Sequence, residues 1–308
     1  MTGNGFSRRT LMQAAALGSA QLMMKLPRLY ASATPGSTVD SRFWLWSHIA
    51  GAYAGTSGLV GPSRITPVEA AHFLGIPNVF MVEYNGQPAP SEWKQFSVPF
   101  RSLERLSWSV VPPGMDEKST QAEREAVLDF AFSNPQIASV VMDDFFVRRS
   151  TWTKDQVAAL TVPELEELKH NLQRNGKRLD LWVVLYAHQV NDPSFHRLAP
   201  YLRHCDIVQL WPWWGHEIPS LPETFAKVEA LVPGMRKALG CFMWDFGDQK
   251  PLPVSAMEQQ CGYGLEWLEK GRIEAMVFAA SWLCDRDLDA VEWTRKWIRK
   301  VGNQKLTP

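Results

Sequence analysis

Eight short apolar runs recur along this chain, and each is followed by a polar stretch and then by a segment of helical periodicity. The runs are FWLWSHI (43–49), PNVFMVEY (77–84), RLSWSVV (105–111), IASVVMDDF (137–145), LDLWVVLYA (179–187), CDIVQLWPW (205–213), ALGCFMWDF (238–246) and IEAMVFAASWL (273–283). Between them lie TPVEAAHFLG, TQAEREAVLDFAFSN, TVPELEELKHNLQRNG, PSFHRLAPYLRH, LPETFAKVEALVPG, VSAMEQQCGYGLEWLEKG and LDAVEWTRKWIRKVG. Several of these carry a helix-starting Thr, Pro or Glu in the first turn and Gly or Asn at the end. The segment after the second run, WKQFSVPFRSLER, is interrupted by Pro99. Strands alternating with helices require a parallel sheet, and eight units predict a single (β/α)8 TIM barrel over 42–308. An open, doubly wound sheet is the alternative. It lacks its phosphate-binding signature, because GAYAGTSG after the first run does not have the GxGxxG spacing.

The first 33 residues stand apart from this rhythm. They hold Arg8, Arg9, Lys25 and Arg28 but no acid, and they end in Ala31-Ser32-Ala33, an A-x-A cleavage site. Ser7-Arg8-Arg9-Thr10-Leu11-Met12 resembles the twin-arginine (Tat) export motif, an address read by the Tat machinery. A membrane anchor is the alternative, and the short Gly/Ala-rich apolar middle argues against it. The expectation is a signal peptide over 1–33, a flexible lead-in over 34–41, and a periplasmic or secreted barrel that keeps no membrane attachment. The whole chain carries 32 basic and 32 acidic residues, so losing the four basic ones leaves 28 against 32. A mildly acidic product does not suit nucleic acid as a partner. The four cysteines, Cys205, Cys241, Cys261 and Cys284, have no metal-ligand spacing and read as buried small residues.

In a barrel of this type the site lies at the C-terminal ends of the strands, so the chemistry is read where each run stops. Those stops hold Trp46 and His48, Glu83 and Tyr84, Asp143 and Asp144, Tyr186 and His188, Gln209, Trp211, Trp213 and Trp214, Trp244 and Asp245, and Trp282 and Asp285. Tryptophan faces stack on the C–H faces of sugar rings while carboxylates, amides and imidazoles bond the hydroxyls, so the mixture suits a carbohydrate pocket. Trp108 and Trp182, in mid-run, read as packing instead.

The acid pair in VVMDDFF, the acid in FMWDFG and the aromatic mouth resemble the (β/α)8-barrel glycoside hydrolases. That resemblance implies one catalytic carboxylate after the fourth strand and another after the seventh, with no cofactor. Asp143 and Asp144 are the candidates for the first and Asp245 for the second, with Glu83 as its competitor. Successive strand side chains face opposite ways, so one of the adjacent acids is expected in the cavity. Asp143 is favoured, because it shares its face with Ser139 and Val141; the other is expected in a loop, at a helix N-terminus or beside Arg148 or Arg149. Two alternatives stay open. One is a metal-dependent sugar isomerase or epimerase of the xylose isomerase type, holding a divalent metal through acids and His48, His188 or His216. The other is a barrel that binds carbohydrate without catalysis.

Overall fold

The computed structural model describes residues 37–111, 119–146 and 157–306. The signal peptide expected over 1–33 and the pairing partners Arg148 and Arg149 lie outside them. Each of the eight apolar runs forms a strand: β1 (Phe43–Ser47), β2 (Asn78–Met81), β3 (Arg105–Val111), β4 (Ile137–Met142), β5 (Asp180–Tyr186), β6 (Ile207–Trp211), β7 (Arg236–Phe242) and β8 (Ala275–Ala279). They pair in parallel, in chain order, and β8 closes on β1. This is a single (β/α)8 barrel. No helix among the described residues is long and apolar enough to cross a membrane.

Among the described residues, six helices of eight residues or more follow the strands: α1 (Pro67–Leu74), α2 (Gln121–Ser133), α3 (Val162–Asn171), α4 (Leu221–Leu231), α5 (Val254–Glu269) and α6 (Asp289–Val301). Three start on the same device. Thr66, Thr120 and Thr161 accept from the backbone of Glu69, Glu123 and Glu164, whose side chains reach back to the threonine N–H. The strands alternate faces as parity demands. Outward Trp108 packs on Phe130 of α2, with ring centroids 4.9 Å apart, and outward Phe43 packs on Trp297 of α6 at 5.6 Å. Inward Trp44, Phe80 and Trp182 pack on one another at 4.7–5.6 Å. Sealing each such ring from water contributes about 1.5–3 kcal/mol.

The N-terminal end of the barrel is closed by charge. Arg236 pairs with Asp180 at 2.5 Å and Glu274 at 3.3 Å, and the Arg105 guanidinium lies 5.0 Å over Trp44. Burial nevertheless pushes the Glu274 carboxyl up to about 6. At the end of the lead-in, Thr38 pairs with Lys305 and Val39 is buried, so residues 37–41 are fastened to the barrel.

Local chemistry trims several expected elements. The helix expected over 193–204 is a 3-10 turn (Phe195–Leu198) followed by a short α-turn (Ala199–Leu202), because Pro200 cannot continue the ladder. Pro99 likewise splits 93–105 into Trp93–Phe96 and Val98–Ser102. The helix expected to reach Gly176 ends at Asn171, since Asn175 and Gly176 take left-handed φ values of 51° and 81° and form a small hairpin.

Candidate active site

Where the strands end, an open-mouthed cavity of about 460 Å³ is lined by residues from β1, β4, β5, β6, β7 and β8 and the loops after them. Trp46 and Trp211, the last inward residues of β1 and β6, form part of its lining, with ring centroids 5.6 Å apart. Trp211 fits because β7 carries Gly240 at the level where any side chain would strike the indole: a Cβ there would fall 1.9 Å from it.

Asp143 and Asp144 both line the cavity. Strand parity forbids that for extended neighbours. Asp144 escapes it by adopting φ 44°, a left-handed backbone that is unfavourable for an L residue without glycine's freedom. The turn brings the Asp144 N–H onto Oδ1 of Asp143 at 2.9 Å. Asp143 is 7% exposed. Burial, and then the charge of Asp144, lift its carboxyl well above the usual carboxylate range, while the Asp144 N–H acts the other way. Burial and the neighbouring charge both favour its protonated form. Asp144 receives a hydrogen bond on Oδ1 from the Tyr186 hydroxyl at 2.7 Å. Burial and the two acids keep that phenol protonated to a pH well above its usual range, so it remains a donor.

Tyr53, which the sequence reading missed, approaches the same acids from the loop after β1. It takes φ 59° and lies parallel to Trp282, with ring centroids 4.7 Å apart and 8° between the planes. Burial, then Asp143 and Asp144, raise its hydroxyl well above the ordinary value. Phe242, Phe246, Val184 and Ala279 complete the lining and were also missed. Phe242 is the last inward residue of β7, and Phe246 follows from an early strand end. The run over 238–246 was read as one strand, but β7 stops at Phe242 and the chain re-pairs as a small ribbon, Trp244–Asp245 against Lys250–Pro251.

That ribbon removes Asp245 from the site. Its Oδ1 accepts the Asp248 N–H at 3.0 Å, and its Oδ2 would lie 2.7 Å from a Cβ on Gly215, so the carboxylate is folded into the loop. Glu83 borders a separate cleft beside Trp93 and α2. Gln209 is fully buried in mid-β6, two residues before Trp211 on the same inward face, and so lies within the barrel. Asp285 accepts the N–H groups of Arg64 and Ile65 at 2.6 and 3.2 Å, which ties two loops together. The indole of Trp244 donates to the Ser57 carbonyl at 3.0 Å and anchors the loop that carries Tyr53.

His48, His188 and Trp214 support the lining without joining it. His48 is buried and donates Nδ1–H to the Val82 carbonyl at 2.9 Å, and its ring packs on Trp282, Tyr53 and Tyr84. Burial drops its pKa to about 4, so the imidazole is neutral at ordinary pH. His188 stacks on Tyr186 at 5.5 Å, and Trp214 stands edge-on to His188 while packing on Gly247. Trp213 and Trp282, as read from the sequence, line the cavity. Among the described residues no group of three or more His, Cys, Asp or Glu side chains is placed to hold a metal ion. The four cysteines are buried free thiols.

The chain matches no protein-family model and no curated protein sequence. Its structure is similar to active domain 2 of a thermostable chitinase from Pyrococcus furiosus, with a TM-score of 0.51 and 9% identity over 80% of this chain and 86% of that one. It is also similar to a putative alpha-L-fucosidase from Bacteroides thetaiotaomicron, with a TM-score of 0.52 and 8% identity over 87% and 97% of the two chains. At these identities the likeness establishes the barrel fold alone, and the chemistry rests on the residues of this chain.

Proposed function

We propose that the chain is a glycoside hydrolase whose working carboxylates are Asp143 and Asp144. One observation carries the reading: a buried acid and a second carboxylate, bonded by a tyrosine hydroxyl, share an aromatic cavity at the C-terminal mouth of a barrel. Hydrolysis of a glycoside needs a protonated carboxyl to donate to the leaving oxygen and an ionised one to attack the anomeric carbon or activate water. Asp143 supplies the proton. Asp144, fixed by its left-handed backbone and by Tyr186, supplies the negative charge facing the developing oxocarbenium ion. The rings of Trp46, Trp211, Trp213 and Trp282 give flat apolar faces for the sugar. Two proteins of similar fold carry glycosidase names, so the barrel is one that this chemistry uses.

We extend the proposal to export. The twin-arginine-like stretch over 7–12 and the A-x-A site over 31–33 imply processing after Ala33 and a periplasmic or secreted enzyme.

The test is a panel of aryl glycosides and oligosaccharides presented to the wild type and to Asp143→Asn, Asp144→Asn and Asp245→Asn. Loss in the first two with retention in the third supports the assignment. Full activity in Asp143→Asn and Asp144→Asn on a substrate that the wild type cleaves rules the pair out.

A further inference from the structure

The rings around the cavity form an unbroken arc. Tyr186, at the end of β5, meets Trp213 after β6 at 5.2 Å between centroids, and Trp213 meets Phe246 after β7 at 5.7 Å. Phe246 meets Tyr53, from the loop after β1, at 6.4 Å. Tyr53 then lies against Trp282, after β8, and against Tyr84, after β2, at 4.7 Å in each case. Six consecutive strand ends, β5 through β8 and on to β1 and β2, are joined by ring-to-ring contact. The acid pair stands outside this arc, at the end of β4.

The part of the arc that passes over β1 is held from behind. Its loop is tied down by the Trp244 indole on the Ser57 carbonyl and by Arg286, which donates to the carbonyls of Val60 and Gly61 at 2.8 Å. Gly58 lies so close to Gln249 that a Cβ would come within 2.4 Å of its carbonyl oxygen. Tyr53 is thus fastened as a wall.

We propose, resting on the glycosidase reading, that the enzyme is exo-acting: it accepts the non-reducing end of a chain and removes the terminal sugar. A chain bound through its middle needs a path on both sides of the scissile bond. The arc closes one side, with the stacked rings of Tyr53 and Trp282 as its wall. The terminal ring sits inside the arc and its glycosidic oxygen faces Asp143. Asp143 transfers its proton to that oxygen as the C–O bond breaks, and water, giving up one proton to the Asp144 carboxylate, bonds to the anomeric carbon in place of the leaving group. Tyr53 and Trp282 are the specificity-determining residues, because their stack blocks a further sugar beyond the terminal one.

The test uses α- and β-linked gluco-, xylo-, manno- and N-acetylglucosamine oligosaccharides labelled at the reducing end with a fluorophore. The first labelled product is expected to be one residue shorter than the substrate. A 4,6-O-benzylidene group on the terminal residue of a cleaved hexose-based substrate is expected to stop hydrolysis. In Tyr53→Ala, the rate on the blocked substrate relative to the unblocked one is expected to rise by about tenfold or more, while Tyr53→Phe, which keeps the ring, still rejects it. Mid-length labelled products at the earliest times, or wild-type cleavage of blocked and free chains at equal rates, overturn the proposal and leave the glycosidase reading standing. Failure to cleave any member of the panel refutes that reading and the proposal with it.

Discussion

Acid stability depends on His48, whose ring backs the Tyr53–Trp282 wall. In the unfolded chain an imidazole titrates near 6.5, whereas in the fold burial holds it at about 4 against the opposing bond to Val82. Between those values the unfolded chain binds the extra proton, so folding stability rises with pH there. The contribution is present in full above pH 6.5 and is lost as the pH falls toward and through 4. Applying about 1.36 kcal/mol for each tenfold change in protonation preference gives a loss of about 2.5 kcal/mol between pH 7.5 and pH 4.5 from this residue alone. The groups that face the ring are the Val82 carbonyl, the Glu83 backbone, Tyr53, Tyr84 and Trp282. His48→Phe keeps a ring in place and removes the titration. Urea denaturation of both proteins at pH 7.5, 6.5, 5.5 and 4.5 isolates the difference, since other groups contribute equally to each. The gap in unfolding free energy is expected to shift by about 2.5 kcal/mol in favour of the variant at pH 4.5. Parallel pH curves would refute the reasoning.

Three further outcomes follow from single contacts. Tyr186→Phe removes the hydroxyl that donates to Asp144 and should lower kcat by roughly tenfold to a hundredfold with the melting temperature little changed, as for a hydrogen bond to a charged group. Gly240→Ala drives a methyl into Trp211; a cost of about 1–3 kcal/mol in urea unfolding and a changed tryptophan emission are expected, and an unchanged spectrum counts against Trp211 as part of the cavity lining. Trp244→Phe deletes the bond to the Ser57 carbonyl, which should cost about 1 kcal/mol and raise hydrogen exchange in the Tyr53 loop.

The barrel was legible because strand and helix periodicity repeat eight times and every run is bounded by turn or capping residues. Thr66, Thr120 and Thr161 mark helix starts by side-chain chemistry that needs no tertiary context. The acid pair was legible as a candidate because carboxylates at a strand end are costly without a use, and Asp143 stands on the cavity side that strand parity assigns it. Asp144 broke the parity argument because a left-handed backbone at a non-glycine residue leaves no mark in composition. Asp245 was misplaced for a related reason: the strand ended four residues early, and the ribbon that replaced it turned the acid into a loop and Phe246 into the cavity. Tyr53 was invisible because only loop closure across the barrel brings GAYAG to Trp282, and its one sequence trace is an aromatic residue set among glycines.

The central claim is that Asp143 delivers a proton to the leaving oxygen, and leaving-group dependence tests it most directly. Asp143→Asn is assayed on two glycosides of whichever sugar the wild type cleaves, one with a 2,4-dinitrophenyl leaving group that departs without protonation and one with an alkyl leaving group that does not. The account predicts near-wild-type kcat/KM on the first and a loss of about 10²–10⁴-fold on the second. Equal loss on both substrates, or no loss on the alkyl glycoside, would contradict it.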